Sequence, residues 1–263
     1  MSFEFRARNV KLFPRNLARR DRANGDRCFC ARPNLMELAI IGTDTGVGKT
    51  HVTVMLAAGL RARGRRVWLH KPVACGDWDG SSADDGRRLR AAVDDGQDPA
   101  TVCPYEFPEP LSPHLAAARA GTTLTADMFD VGIATVRGTH DLLVEGAGGL
   151  LSPLTHDRLS YADLLPRWGL PAIIVTRPDL GTLNHTALTV RAARAAGIPL
   201  LGLVISTAHA GAASLAALLA APELAALTGL RVLAELPYQT SQSSGAALAD
   251  AVLAAYSELT CER

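Results

Sequence analysis

The stretch IIGTDTGVGKTHVT, residues 40–53, decides the fold. It comes close to the phosphate-loop pattern G-x-x-x-x-G-K-[ST]. Gly48, Lys49 and Thr50 supply its ending, but the first glycine of the pattern would fall where Thr43 stands, and Gly42 lies one place early. Ahead of the loop, MELAIIG is a short apolar run and reads as a buried strand. Behind it, KTHVTVMLAAGLRARG has helical spacing, basic residues in its last turn and Gly64 as a C-terminal cap. A loop between strand and helix suits an anion, because backbone N–H groups of the loop and first helical turn converge on phosphate oxygens. Gly46 and Gly48 give the turn its backbone freedom. Lys49 then neutralises the outer phosphates and the Thr50 hydroxyl is a ligand for Mg²⁺.

Outward from the loop, apolar runs and helical patterns alternate. RRVWLHKPV is a second strand and DDGRRLRAAVDDG a short helix, while the proline-rich region 98–113 reads as loop. TADMFDVGIATVRG is helical, DLLVEGAGG a strand running into a glycine turn, PAIIVT a strand and NHTALTVRAARAAG a helix. IPLLGLVIS, AASLAALLA, RVLAELP and GAALADAVLAAYSEL continue as strand, helix, strand and closing helix. Buried strands separated by helices imply an α/β architecture with a mainly parallel central sheet covered by helices on both faces. Right-handed crossovers place the C-terminal strand ends on one edge, where ligands bind. That edge holds the residues after Gly42, then Lys71, Glu145, Thr176 and Ser206. Neither an internal repeat nor a linker interrupts residues 36–263, which are read as one domain.

Composition limits the function classes. A chain of 263 residues with 48% hydrophobic and 20% charged residues is a soluble globular type. Its net charge of +1 argues against a dedicated nucleic-acid binder. Residues 1–35 are different: eight Arg and Lys11 stand against Glu4, Asp21 and Asp26. This stretch has neither sustained periodicity nor an apolar run of signal or membrane length, and its acids weaken a transit-peptide reading. It is read as an Arg-rich extension, disordered or upstream of a true start at Met36. Five cysteines, Cys28, Cys30, Cys75, Cys103 and Cys261, match neither a zinc nor a disulfide framework, which suits a reducing cytoplasm.

Three further segments carry chemistry. Glu145, at the end of an apolar strand, stands where a magnesium-dependent phosphoryl-transfer site places an acid, usually Asp, opposite its phosphate loop. Gly146, Gly148 and Gly149 let backbone approach a ligand. Lys71 ends the second strand on the same edge, either as a solvated strand end or as a cation stabilising charge in phosphoryl transfer. The loop PYEFPEPLSPH, residues 104–114, is surface or the wall of a substrate pocket. Asn184 and His185 stand at a helix start, where Asn is also a natural N-cap.

Together these segments resemble the dethiobiotin synthetase family. The family pattern G-T-D-T-x-V-G-K-T is met at 42–50, K-P-V-A-S-G by KPVACG at 71–76 and P-Y-x-F-x-E-P-x-S-P-H at 104–114. V-E-G-A-G-G follows at 144–149 and L-G-x-I-N-H as LGTLNH at 180–185, all in order from Met36 onward. The resemblance implies a three-layer P-loop NTPase fold, a cytoplasmic homodimer, and ring closure on 7,8-diaminopelargonic acid with CO₂ (bicarbonate) and MgATP in biotin biosynthesis. It implies a catalytic set of Thr45, Lys49 and Lys71, and Mg²⁺ on Thr50, Asp85 and Glu145, with Asp85 preferred to Asp84 because Leu89 then takes the family's downstream apolar position. Nucleotide contacts fall on Gly46, Val47, Gly48 and His51 in the loop and on Gly146, Ala147 and Gly148 in the glycine turn of DLLVEGAGG. Ser206 and Thr207 occupy the adenine-reading segment, and Pro237, Tyr238 and Gln239 flank the base. Cys75 and Asn184 contact the second substrate, Asn184 from across the dimer interface.

The chain departs from the family at three places. Cys75 replaces a substrate-contacting Ser and is a weaker hydrogen-bond partner. Ser206 replaces an Asn and lacks the paired donor and acceptor of an amide, and AELPYQ replaces G-E-I-P-W. The alternative is a P-loop switch ATPase of the partitioning or septum-positioning type. Such proteins carry an additional Lys near the loop start, whereas residues 42–45 are Gly-Thr-Asp-Thr. The closing GAALADAVLAAYSEL also lacks the Lys and Arg of a membrane-targeting helix.

Overall fold

Short β-branched runs form the centre of the molecule. A computed structural model describes residues 35–93, 96–207, 214–238 and 242–261. The expected extension, as far as residue 34, and with it Cys28 and Cys30, lies outside the described residues, as does Gln239.

The chain runs β1 (Glu37–Gly42), α1 (Lys49–Arg61), β2 (Val67–His70), β3 (Val73–Cys75), α2 (Asp84–Arg90), α3 (Pro99–Val102), β4 (Tyr105–Phe107), α4 (Pro113–Arg119) and α5 (Ala126–Val136). It continues with β5 (Asp141–Gly149), α6 (Tyr161–Trp168), β6 (Ala172–Thr176), α7 (Thr182–Ala195), β7 (Leu200–Ser206), α8 (Leu215–Thr228), β8 (Val232–Leu236) and α9 (Gln242–Cys261). Six strands form one sheet in the order β2-β5-β1-β6-β7-β8, every pair parallel. This is the architecture the alternating pattern implies. Because β5 and β6 flank β1 on opposite sides, the connections that follow diverge there. The crevice opens at the C-terminal end of β1, where a doubly wound sheet takes its ligand.

Alternation along each strand divides the core. Leu38 and Ile40 of β1, Leu143 of β5 and Ile173 of β6 face α1 and α9, joining Leu56, Leu60 and Leu248. Ala39, Ile41, Leu142 and Ile174 face the other way, among Phe129, Leu164, Val190 and Leu224 from α5 to α8. On the first face α1 and α9 cross in close contact. A Cβ on Gly59 would run into the carbonyl of Gly245, and one on Gly245 would come within 2.8 Å of the Met55 carbonyl.

Gly64 ends α1 as expected, in a left-handed conformation with Gly64 N–H on the Arg61 carbonyl at 2.8 Å and Arg65 N–H on Leu60 at 3.2 Å. Elsewhere the structure corrects the sequence reading. The segment RRVWLHKPV does not make one strand: Lys71 and Pro72 break it, and β3 leaves the main sheet to pair with β4. Region 98–113 is not all loop, since it contains α3, β4 and the start of α4. Helix α6 carries Pro166 and gave no readable pattern, yet Ser160 and Asp163 start it with a reciprocal capping box. Helix α7 begins two residues before Asn184, and its N-cap is Gly181 rather than Asn184.

Candidate active site

The C-terminal ends of β1, β2, β5 and β7 line one cleft of about 880 Å³. Its floor is the loop after β1. Gly48 is the N-cap of α1 with φ +91°, and a Cβ there would run into Ser206 Oγ at the end of β7. Only glycine fits that position, for steric and backbone reasons together. Lys49 is 6% exposed and donates to the Asp44 carbonyl at 2.8 Å, while Asp44 accepts from Thr45 N–H at 2.7 Å. Burial and the neighbouring Lys71 bring the Lys49 ammonium down to about 8.

Above the loop sits a four-residue polar cluster. Thr50 Oγ1 lies 2.7 Å from Asp85 Oδ1 and 2.6 Å from Glu145 Oε1. Lys71 Nζ, 2% exposed as a residue, bonds the same Glu145 oxygen at 2.7 Å and also Asp85. Burial opposes the Lys71 charge, but Glu145 and Asp85 outweigh it and hold the ammonium well above its ordinary proton affinity. Burial likewise opposes the Asp85 charge, and Lys71 with the Thr50 hydroxyl keeps that carboxyl below its usual range. Glu145 is wholly buried and its second oxygen, Oε2, has no partner among the described residues. The Thr50 hydroxyl reaches both carboxylates, and Glu145 keeps a second buried oxygen unpaired among the described residues, so this all-oxygen donor set fits a hard divalent cation such as Mg²⁺.

A second network holds Asp85 in place. Glu106 of β4 accepts from Ala83 N–H at 3.1 Å and Ser82 Oγ at 2.6 Å, and pairs with Arg90. These contacts pin the start of α2. The proline-rich segment is therefore a support for Asp85 as well as a wall of the cleft, which its composition did not reveal. Thr176, Thr182 and Thr186 form a buried hydroxyl cluster with spacings of 2.9 Å, and Thr43 joins it at 3.3 Å. It ties the loop after β1 to β6 and to the start of α7.

The cleft brings together most of the residues singled out from the sequence. Thr45, Gly46, Gly48, Lys49, Thr50 and His51 line it from the loop, Lys71, Cys75 and Asp85 from one side. Ala147, Gly148, Ser206, Thr207 and Tyr238 complete it. Val47 is buried in the core beneath the loop instead. Glu145 and Gly146 lie behind the lining, and Pro237 and Asn184 are not part of it. Asn184 is exposed in the first turn of α7. Burial pushes the Cys75 thiol up to about 12, so it stays protonated and is a poor nucleophile. Sequence reasoning passed over Ser152 and Arg88, both of which line the cleft. Ser152 Oγ accepts from Gly149 N–H at 3.0 Å and shapes the glycine turn.

A family model described as an AAA domain matches residues 36–244. The chain is 40% identical over 220 residues to the ATP-dependent dethiobiotin synthetase BioD of Anaeromyxobacter dehalogenans (strain 2CP-C), covering 83% of this chain and 97% of that protein. It is 45% identical over 172 residues to the protein of the same name from Anaeromyxobacter sp. (strain Fw109-5), covering 65% and 76% of the two chains. Among solved structures, a ParA family ATPase from Chlorobium tepidum TLS aligns at a TM-score of 0.48 with 13% identity, over 86% of this chain and 98% of that one. A likeness of that size carries no argument about function.

Proposed function

This chain belongs to the dethiobiotin synthetase family, and we propose that it closes a ureido ring on 7,8-diaminopelargonic acid using CO₂ and MgATP, releasing ADP and phosphate. The observation that carries this reading is the buried Lys71 ammonium held between Glu145 and Asp85 at the mouth of the phosphate loop. That arrangement supplies positioning and charge, which carbamate phosphorylation needs, and no protein nucleophile.

The substrate amine first adds to CO₂ and loses a proton, forming a carbamate. A carbamate oxygen attacks the γ-phosphorus, the bond to ADP breaks, and a carbamic–phosphoric anhydride results. The second amine attacks the anhydride carbonyl and expels phosphate. In this scheme the loop N–H groups and Lys49 hold the outer phosphates, with Lys49 leaving the Asp44 carbonyl for the ligand. Lys71 stands against the carbamate and the transferring phosphoryl group, with Thr45 beside them in the loop. Thr50, Asp85 and Glu145 would hold Mg²⁺, which supplies charge neutralisation on the phosphates when bound. Cys75, Gly148 and Ser152 border the half of the cleft left for the diamino acid. The buried, protonated Cys75 is a contact and takes no covalent part.

ATP hydrolysis by the purified protein is expected only when diaminopelargonic acid and bicarbonate are both present. A hydrolysis rate no greater with both than with neither overturns the reading.

We also place the working form as a homodimer in a reducing cytoplasm. Support for the dimer lies on α8, where Leu215, Leu218 and Leu219 make one outward stripe at helical spacing, Leu215 71% and Leu218 67% exposed. Sedimentation velocity is expected to show a dimer at micromolar concentration, and the double variant Leu215→Asp/Leu218→Asp a monomer. A monomeric wild type removes the role given to Asn184 across the interface. No helix among the described residues is long and apolar enough to cross a membrane.

A further inference from the structure

Helix α2 carries three arginines, and they are not equivalent. Arg87 is committed to Asp84 at 2.9 Å, Asp79 at 3.0 Å and the Ser82 carbonyl at 2.7 Å. Arg90 is committed to Glu106, to Ser82 Oγ at 2.7 Å and to the Cys103 carbonyl at 3.0 Å. Arg88 reaches only 3.9 Å from Asp84 and projects into the cleft with nearly half of its side chain exposed. Asp85 precedes it by three residues and so shares its face of the helix. Asp85 is bonded to Thr50 in the first turn of α1, so Arg88 stands against that same turn one step along, beside His51. Helices α1 and α2 pack against each other, consistent with that proximity. The diamino-acid half of the cleft, around Cys75, Ser152 and Pro110–Pro113, is lined from other elements.

We propose that Arg88 is a phosphate-binding residue of the nucleotide half of the cleft, taking the inner phosphates of a nucleoside di- or triphosphate. A guanidinium on a short helix, loosely held and facing the N-terminal turn that cradles the outer phosphates, closes the cradle from its open side. The inference rests on the reading of this cleft as the ATP site. A cation serving the inner phosphates acts on nucleotide binding and not on the reaction, and treats ATP and ADP alike.

The test is direct titration of the full chain with MgATP and MgADP by calorimetry, for wild type, Arg88→Ala, Arg88→Lys and Lys49→Ala. Arg88→Ala is expected to weaken both nucleotides about tenfold, Arg88→Lys to recover part of the loss, and kcat at saturating ATP to stay within about twofold. Its melting temperature should match wild type, because among the described residues the ion pair of Arg88 is a long one, 3.9 Å from Asp84. Wild-type affinity for both nucleotides in Arg88→Ala, with binding lost in Lys49→Ala, overturns the inference and leaves the site reading intact. Weakening of ATP alone, or a raised KM for the diamino acid alone, also overturns it. Wild-type protein that binds neither nucleotide overturns the site reading itself.

Discussion

Replacing Lys71 by alanine is expected to lower kcat by about a thousandfold or more, with little change in the affinity for MgATP. A single preorganised donor aimed at developing charge is worth roughly 10²–10³ in rate, and a cation at a transferring phosphoryl group about 10³–10⁵. In the proposed scheme Lys71 is such a cation, and it is buried at 2% exposure and fixed by two carboxylates. Nucleotide affinity is spared because Lys49 and the loop N–H groups are untouched. A second effect follows from burial. The substitution leaves Glu145 wholly buried without its cation, and removing one partner of a buried pair costs about 3–5 kcal/mol. For a domain of this size that lowers the melting temperature by about 10 °C. Turnover is therefore compared well below the variant's melting point, with circular dichroism confirming the fold. A kcat within tenfold of wild type removes Lys71 from the chemistry.

Gly48→Ala is expected to weaken MgATP by about a hundredfold or more. Two costs combine at this position. The backbone is left-handed at φ +91°, which for a residue with a Cβ costs about 1–2 kcal/mol. The added methyl also runs into Ser206 Oγ and comes within 3.1 Å of Ser206 Cβ. The loop has to shift, and the N–H groups of the first helical turn no longer converge on one point. The double variant Gly48→Ala/Ser206→Gly removes the clash and keeps the backbone cost, so it should recover about tenfold of the affinity and no more. Wild-type affinity in Gly48→Ala shows that the loop does not hold the phosphates in this conformation.

Ser206 shows how far the sequence carried. Its place on the site edge was legible, because it ends an apolar strand of a parallel sheet. Its partner was not: Ser206 Oγ is buried, has no hydrogen-bond partner among the described residues, and lies against the phosphate loop from a distant strand. A hydroxyl so short ends at Gly48, whereas the amide the family carries there is longer. Glu106 is a similar case. A carboxylate between prolines reads as surface, yet it fixes the start of α2 through Arg90, Ser82 and Ala83. The helix α6 was missed because Pro166 and a short apolar stripe mask its period, and its start is set by the capping box at Ser160.

By itself the sequence determined the alternating α/β architecture, the phosphate loop and the family. Each of these rests on local order: the period of apolar residues, a glycine at a turn, five short motifs in succession. The tertiary structure alone decided which charges meet. Lys71 finds Asp85 at a separation of 14 residues and Glu145 at 74. It alone left Arg88 facing the cleft while Arg87 and Arg90 turn to carboxylates. Three arginines within four positions of one helix look alike in sequence, since the partners that distinguish them come from other segments. Burial then gives those meetings their weight, because the same ammonium and carboxylates in water would interact by little more than about 1 kcal/mol.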